Sequence, residues 1–105
     1  MKIRIVKKNP DEAPQVMEIE DTLEAMQAIV DGSLELVRFH GLDLYCNEEG
    51  KLLEDLEANL ELGYDQIVGT VFVSAADDEG NPRSLTDQEV KDAIAALNAA
   101  EYPRG

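Results

Sequence analysis

The sequence is short of the groups on which most small-protein chemistry is built. Among 105 residues there is one cysteine, Cys46, and one histidine, His40. A lone cysteine closes no intramolecular disulfide, so the core has to hold without covalent staples, as suits a reducing cytoplasm. One Cys and one His cannot fill the four positions of a structural zinc site. No glycine-rich phosphate loop and no paired metal-ligand motif occurs. Apolar runs are short. No window approaches the roughly 18–20 apolar residues of a membrane span, and the opening "MKIRIVKKNP" alternates charge with aliphatic side chains, unlike a signal peptide. These absences predict a soluble cytoplasmic chain without a cofactor.

Positive charge is also scarce. Nine Lys and Arg face twenty-three Asp and Glu, a formal net charge of −14. Four of the bases sit at Lys2, Arg4, Lys7 and Lys8. From Asn9 to Val37 there are eight acids and no base, and from Asp43 to Asp65 eight more acids surround Lys51 alone. Such a surface repels nucleic-acid phosphates and anionic membranes, so neither is an expected partner. It leaves two readings: acidity that only keeps the chain soluble, or acidity that docks on a basic protein. A homodimer is compatible with either.

What is present fits one domain. A chain of this length buries roughly 60–70% of its unfolded surface, enough for a real core. Ile3 and Ile5 alternate with Lys2 and Arg4 as in a half-buried strand, Asn9–Pro14 is a loop, and Val16–Glu20 is a second, antiparallel strand. "EDTLEAMQAIVDGS" is a helix, capped by Asp21 or Thr22, with Leu23, Met26 and Val30 on one face and Gly32 as its stop. Leu34–Phe39 and Leu42–Cys46 form a hairpin around His40-Gly41. Asn47 to Gly50 turns the chain, with a positive φ expected at Gly50, and Lys51–Leu53 resumes an extended run. The segment 54–63 is expected to make a short helical turn and then a loop. Asp65–Ser74 reads as one buried strand at the sheet's centre, with Gly69 as a bulge or close approach. "ADDEGNPRS" is an acidic loop. It is no EF-hand, because Ala75 falls where the first carboxylate ligand belongs. Thr86 and Glu89 form a capping box for a last helix carrying Val90, Ala93, Ile94 and Leu97 inward, with the tail fraying from about residue 101. The expected fold is α+β, order β-β-α-β-β-(short α)-β-α. It has a mostly antiparallel sheet of about five strands and two main helices on one face.

Cys46 is the obvious candidate nucleophile, and "LYCNEEGKLL" argues against it. A reactive thiol needs a base and an electropositive setting, whereas Glu48 and Glu49 follow it, and a Cys46–His40 pair has no orienting partner. No catalytic or metal residue is assigned, and the chain is not expected to be an enzyme.

Taken in order, "VMEIEDTLEAMQAIVDG", "LELVRF", "LYCNEEGKLL", "DQIVGTVFV" and "DDEGNPRSLTDQEV" resemble a family of small phage and bacterial mobile-element proteins known as domain of unknown function 3846. The resemblance spans residue 3 to about residue 97. It departs at Glu54–Leu60, where similar proteins carry a Gly-Leu-Pro-like turn followed by Asn-Arg. Asn59 corresponds to that Asn, and Leu60 replaces the Arg. The resemblance implies an accessory product of a mobile element and brings no catalytic residue or cofactor with it. The first expectation for function is therefore a protein–protein interaction, with an acidic face of Glu48, Glu49, Glu54, Asp55, Glu57, Glu61, Asp77, Asp78 and Glu79 occupying a basic groove of a host or mobile-element protein. Such a face would mimic nucleic acid in counter-defence. The alternatives are a small-ligand or nucleotide-sequestering protein that uses Arg4, Arg38 or Arg83 for phosphate, and a soluble domain without catalysis.

Overall fold

A computed structural model describes residues 1–50, 56–63 and 65–103. In chain order the elements are β1 (Lys2–Lys8), β2 (Gln15–Glu20), α1 (Leu23–Val30), β3 (Leu34–Phe39), β4 (Leu42–Asn47), β5 (Ala58–Glu61), β6 (Gln66–Val68), β7 (Val71–Ala76), β8 (Pro82–Arg83) and α2 (Asp87–Ala99). The main sheet runs β2-β1-β7-β4-β3, with β8 paired to β7, and β5 and β6 make a separate two-stranded sheet. All of these pairings are antiparallel. The α+β class and element order are those expected, with β7 at the sheet's centre.

The two helices do not share a face. Alternation along the strands makes two cores. Val6, Leu44, Cys46, Val71 and Val73 pack with Ala93 and Leu97 of α2. Ile3, Ile5, Ile19, Tyr45 and Phe72 pack with Met26 and Val30 of α1. The central strands β4 and β7 are therefore buried on both sides; β7 is a nearly continuous apolar run, while β4 also buries Asp43 and Asn47. Tyr45 and Phe72 stack beneath α1 with centroids 4.9 Å apart.

Local chemistry explains most boundaries. Thr22 caps α1 by accepting from the Ala25 N–H. The left-handed residue that ends α1 is Asp31, φ 59°, and not Gly32. Gly32 is required for space instead: a Cβ there would lie 2.5 Å from the Asn47 amide nitrogen, which donates to the Val30 and Asp31 carbonyls. His40 and Gly41, φ 54° and 80°, make the two-residue turn between β3 and β4. Gly50 is not among the positive-φ glycines; a side chain there would meet Val68 at 2.9 Å. Thr86 and Glu89 form the expected capping box of α2.

Three segments differ from expectation. The run from Asp65 is two strands, broken at Gly69, whose φ of 75° turns the chain between β6 and β7. The acidic loop is the tip of a hairpin, since Ala75 and Ala76 pair with Arg83 and Pro82. The expected helical turn over 54–63 gives way, where the segment is described, to the strand β5; Lys51–Leu53, Glu54 and Asp55 lie outside the described residues.

The physical reason for β5 is a buried cation. Lys8 ends β1 fully buried. Its ammonium donates to the Asn9 carbonyl and to Asn59 Oδ1, both at 2.9 Å, and pairs with Glu101 at 2.6 Å. The Asn59 amide nitrogen in turn donates to the Lys8 and Gly69 carbonyls. The tail expected to fray from about residue 101 is held through Tyr102: Glu101 bridges Leu60, and the Tyr102 N–H donates to the Asn59 carbonyl.

Asn59→Ala removes three buried hydrogen bonds and leaves the Lys8 ammonium under-coordinated. It is expected to destabilise the protein by about 3 kcal/mol and to lower Tm by roughly 10 °C or more. A thermal melt followed by circular dichroism checks this; an unchanged Tm would remove the network from the account of stability.

Candidate functional site

The candidate acids fall into groups that the sheet register separates. Leu44 of β4 lies opposite Val73 of β7, and the strands run in opposite directions. Glu48 lies four residues along β4 one way, and Asp77 four residues along β7 the other way. At about 3.3 Å per residue, Glu48–Glu49 and Asp77–Glu79 stand roughly 25 Å apart, at opposite ends of the sheet.

Each group has its own surroundings. Glu48 borders a depression of about 200 Å³ with Glu35, Cys46, Asp65 and Gln66. Asn47 shapes this end by accepting the Glu49 N–H (2.8 Å). Glu57 lines a shallow cleft with Asn9, Glu12 and Thr70. Glu61 lines a third depression, about 350 Å³, with Arg38, His40 and the alanines of the last turn of α2. Asp77 borders a fourth with Lys2, Asp21 and Arg83. Glu54 and Asp55 lie outside the described residues. The described acids thus border four different depressions.

Asp77 has a structural task. Its carboxylate accepts the Asn81 and Glu79 N–H groups at 2.9 Å, and these backbone donors, Asn81 first, hold its pKa below the ordinary carboxylate value. Gly80, φ 87°, donates to the Asp77 carbonyl and completes the hairpin tip. Asp78 and Glu79 remain as its outward charges.

The cations are engaged internally. Arg4 donates to the Leu85 carbonyl and pairs with Asp87. Arg38 pairs with the buried carboxylate of Asp43 and donates to the Gly41 carbonyl. Arg83 grips Glu89 through two nitrogens, at 2.9 and 3.1 Å. The three arginines considered for phosphate binding each hold a different joint of the fold and do not converge on one cavity. Arg4 and Asp87 are too distant along the chain for sequence to pair them, whereas Arg38 and Asp43 face each other across the expected His40-Gly41 turn and could have been paired from it.

Cys46 and His40 are apart. Cys46 lies opposite Glu35 in the β3–β4 ladder, five residues from the end at which His40 makes the turn. The thiol contacts the Glu35 carboxylate at 3.7 Å. Among the described residues, no three His, Cys, Asp or Glu side chains are grouped to hold a metal ion, and no helix is long and apolar enough to cross a membrane. Tyr45 has its pKa raised by burial and then by the nearby Asp43 charge, with a hydrogen bond from Ser74 acting the other way.

A family model described as Domain of unknown function (DUF3846) matches residues 1–98. The chain belongs to that family. No curated protein and no solved structure matches it. The DUF3846 match takes in every strand and nearly all of α2, so Lys8, Asn59 and both ends of the acidic surface lie inside the family's span, while Glu101 lies beyond it.

The Arg83–Glu89 pair gives a pH-dependent prediction. The two guanidinium hydrogen bonds, with help from the Thr86 N–H, lower the Glu89 pKa from 4.5 to about 2. A depressed carboxylate stabilises the fold above its unfolded pKa, and that stability is lost as pH falls through the folded value. Between pH 4.5 and 2 wild type should therefore lose stability that Glu89→Gln never had. Arg83 is partly exposed, so screening limits the difference at neutral pH to about 1 kcal/mol. Urea melts of both proteins at neutral pH and within that window test this. A constant gap across the range would show that Glu89 acts only through uncharged contacts.

Proposed function

We propose that this DUF3846 protein is a non-catalytic binding module of the cytoplasm that docks by charge on a basic protein surface. Its setting would be that of a phage or mobile-element accessory protein, and the partner a host protein whose basic groove otherwise holds nucleic acid. The observation that carries the reading is how the charge is partitioned. Arg4, Lys8, Arg38 and Arg83 are all tied to acids of the same chain. Each pair cancels one positive and one negative charge, so the remaining surface still carries the full −14 with fewer bases to interrupt it.

The Glu48–Glu49 end is the better docking end. There Glu35, Glu48 and Asp65 border one depression, with Glu49 next in the turn. At the other end Asp77 is occupied by its own loop, and the adjoining depression also carries Lys2 and Arg83. Mixed charge of that kind weakens attraction for a basic groove.

Paired charge reversals separate placement from amount. Glu48→Lys/Glu49→Lys and Asp78→Lys/Glu79→Lys each change the net charge equally. Capture of basic host proteins on immobilised protein should fall steeply from low to high salt, and the first double variant should lose several-fold more capture than the second. If no basic protein is held at low salt, or the two variants behave alike, the acidity serves solubility and the proposal is wrong.

A further inference from the structure

Among the described residues the main sheet has two edges, β2 and β3, and their chemistry differs. In the β3–β4 hairpin the two-residue turn makes Phe39 and Leu42 a hydrogen-bonded pair, so the odd-numbered residues of β3 spend their backbone groups on β4. The Ser33 carbonyl, which accepts from the Glu48 N–H, continues the same parity. The N–H and C=O groups of Leu34, Leu36 and Arg38 therefore point outward, along the free edge. Of the usual guards against edge pairing the strand has no proline, no lysine and no bulge, and its charges are Glu35 and Arg38. Leu36, on the α1 face opposite Tyr45, is 51% exposed. Arg38 is paired with Asp43, so Glu35 is the one uncompensated charge on this strand of a strongly acidic chain.

We propose that β3 is a self-association edge: two copies of this chain pair antiparallel along Leu34–Phe39, with Leu36 on the two-fold axis. The register follows from parity. Opposed residues in an antiparallel pair share a face and, at hydrogen-bonded positions, both point their backbone groups across the gap. Centring on Leu36 satisfies both conditions and uses all three outward residues: Leu36 meets the same residue of the second copy, and Leu34 meets Arg38. Glu35 then falls opposite Val37, and no like charges are opposed. The other edge fails this test. The Asp21 N–H donates to the Met1 carbonyl, so by the β1–β2 register the outward residues of β2 are Val16, Glu18 and Glu20. Its full-length register places Glu18 against Glu18. The partner fitted by β3 is therefore a second copy of this chain. This interface does not depend on the acidic docking surface proposed above.

The net charges of two copies repel, so self-association strengthens as salt screens them. Docking on a basic partner weakens under the same change. Sedimentation velocity across a concentration series, at about 0.1 M and about 1 M NaCl, where the screening length falls from about 10 to about 3 Å, should show a reversible dimer favoured by salt. Leu36→Lys places like charges on the axis, and Leu36→Pro removes an outward N–H that β4 does not use. Each should lower the association constant about tenfold or more with Tm unchanged. Should the proline variant shift Tm, the lysine variant decides. A chain that stays monomeric at every concentration and both salts overturns the proposal, as does a dimer that survives Leu36→Lys.

Discussion

The fold turns on one buried ammonium. An amine as deeply buried as that of Lys8 costs several kcal/mol unless its donors are met, and the three acceptors come from three places. Asn9 is the neighbouring residue, Asn59 lies on β5, and Glu101 follows α2. The one ammonium thereby ties β1, the small sheet and the end of the last helix together. Asn59 serves further by bonding the Lys8 and Gly69 carbonyls, which fixes where β6 stops and β7 begins. A polar network of this sort contributes less through net energy than through the penalty for any arrangement that leaves it incomplete.

That economy of cations shapes what the molecule can do outside. A basic side chain locked to a partner of the same chain is not free to hold phosphate. Arg4 pins β1 to the start of α2, Arg38 closes over Asp43 at the β3–β4 turn, and Arg83 clamps the α2 capping box. A nucleotide site built on one of these three arginines would need it to let go. The acids face no such demand. Among the described residues Asp43 is buried and Glu101 is held by Lys8, while most other carboxylates are exposed, where water or another protein can reach them.

Much of this was legible in the chain. Period-2 runs gave β1 to β4, the Thr86–Glu89 spacing gave the cap of α2, and the continuous apolar run marked β7 as central. The element order and the family followed. What stayed hidden depends on contacts between distant residues. Nothing local shows that Lys8, in an alternating strand, points inward, because its side-chain partners Asn59 and Glu101 lie more than fifty residues away. Without that partner, Ala58–Glu61 carries a helical spacing as good as its strand one, and tertiary bonding decided between them. The placement of α1 and α2 on opposite faces was likewise invisible, since a doubly buried strand reads as apolar whichever helix covers which side. The acidic residues misled for a different reason: composition shows how many there are, and only register shows that Glu48 and Asp77 point to opposite ends.

The same register separates the two kinds of association the surface offers. A charge-driven contact needs many carboxylates within a screening length of one another, so it belongs to an end of the sheet, where turns collect Glu48, Glu49, Glu35 and Asp65. A backbone-driven contact needs the opposite: a strand with no acid among its outward residues and with those amides in a self-complementary register. β3 has that, and β2 does not, although both are six residues long and equally peripheral in the sheet. The difference is two glutamates on the outward positions of β2. On a chain of this charge, like repulsion protects every acidic edge from self-pairing, and an edge that lacks it is the one through which two copies can approach.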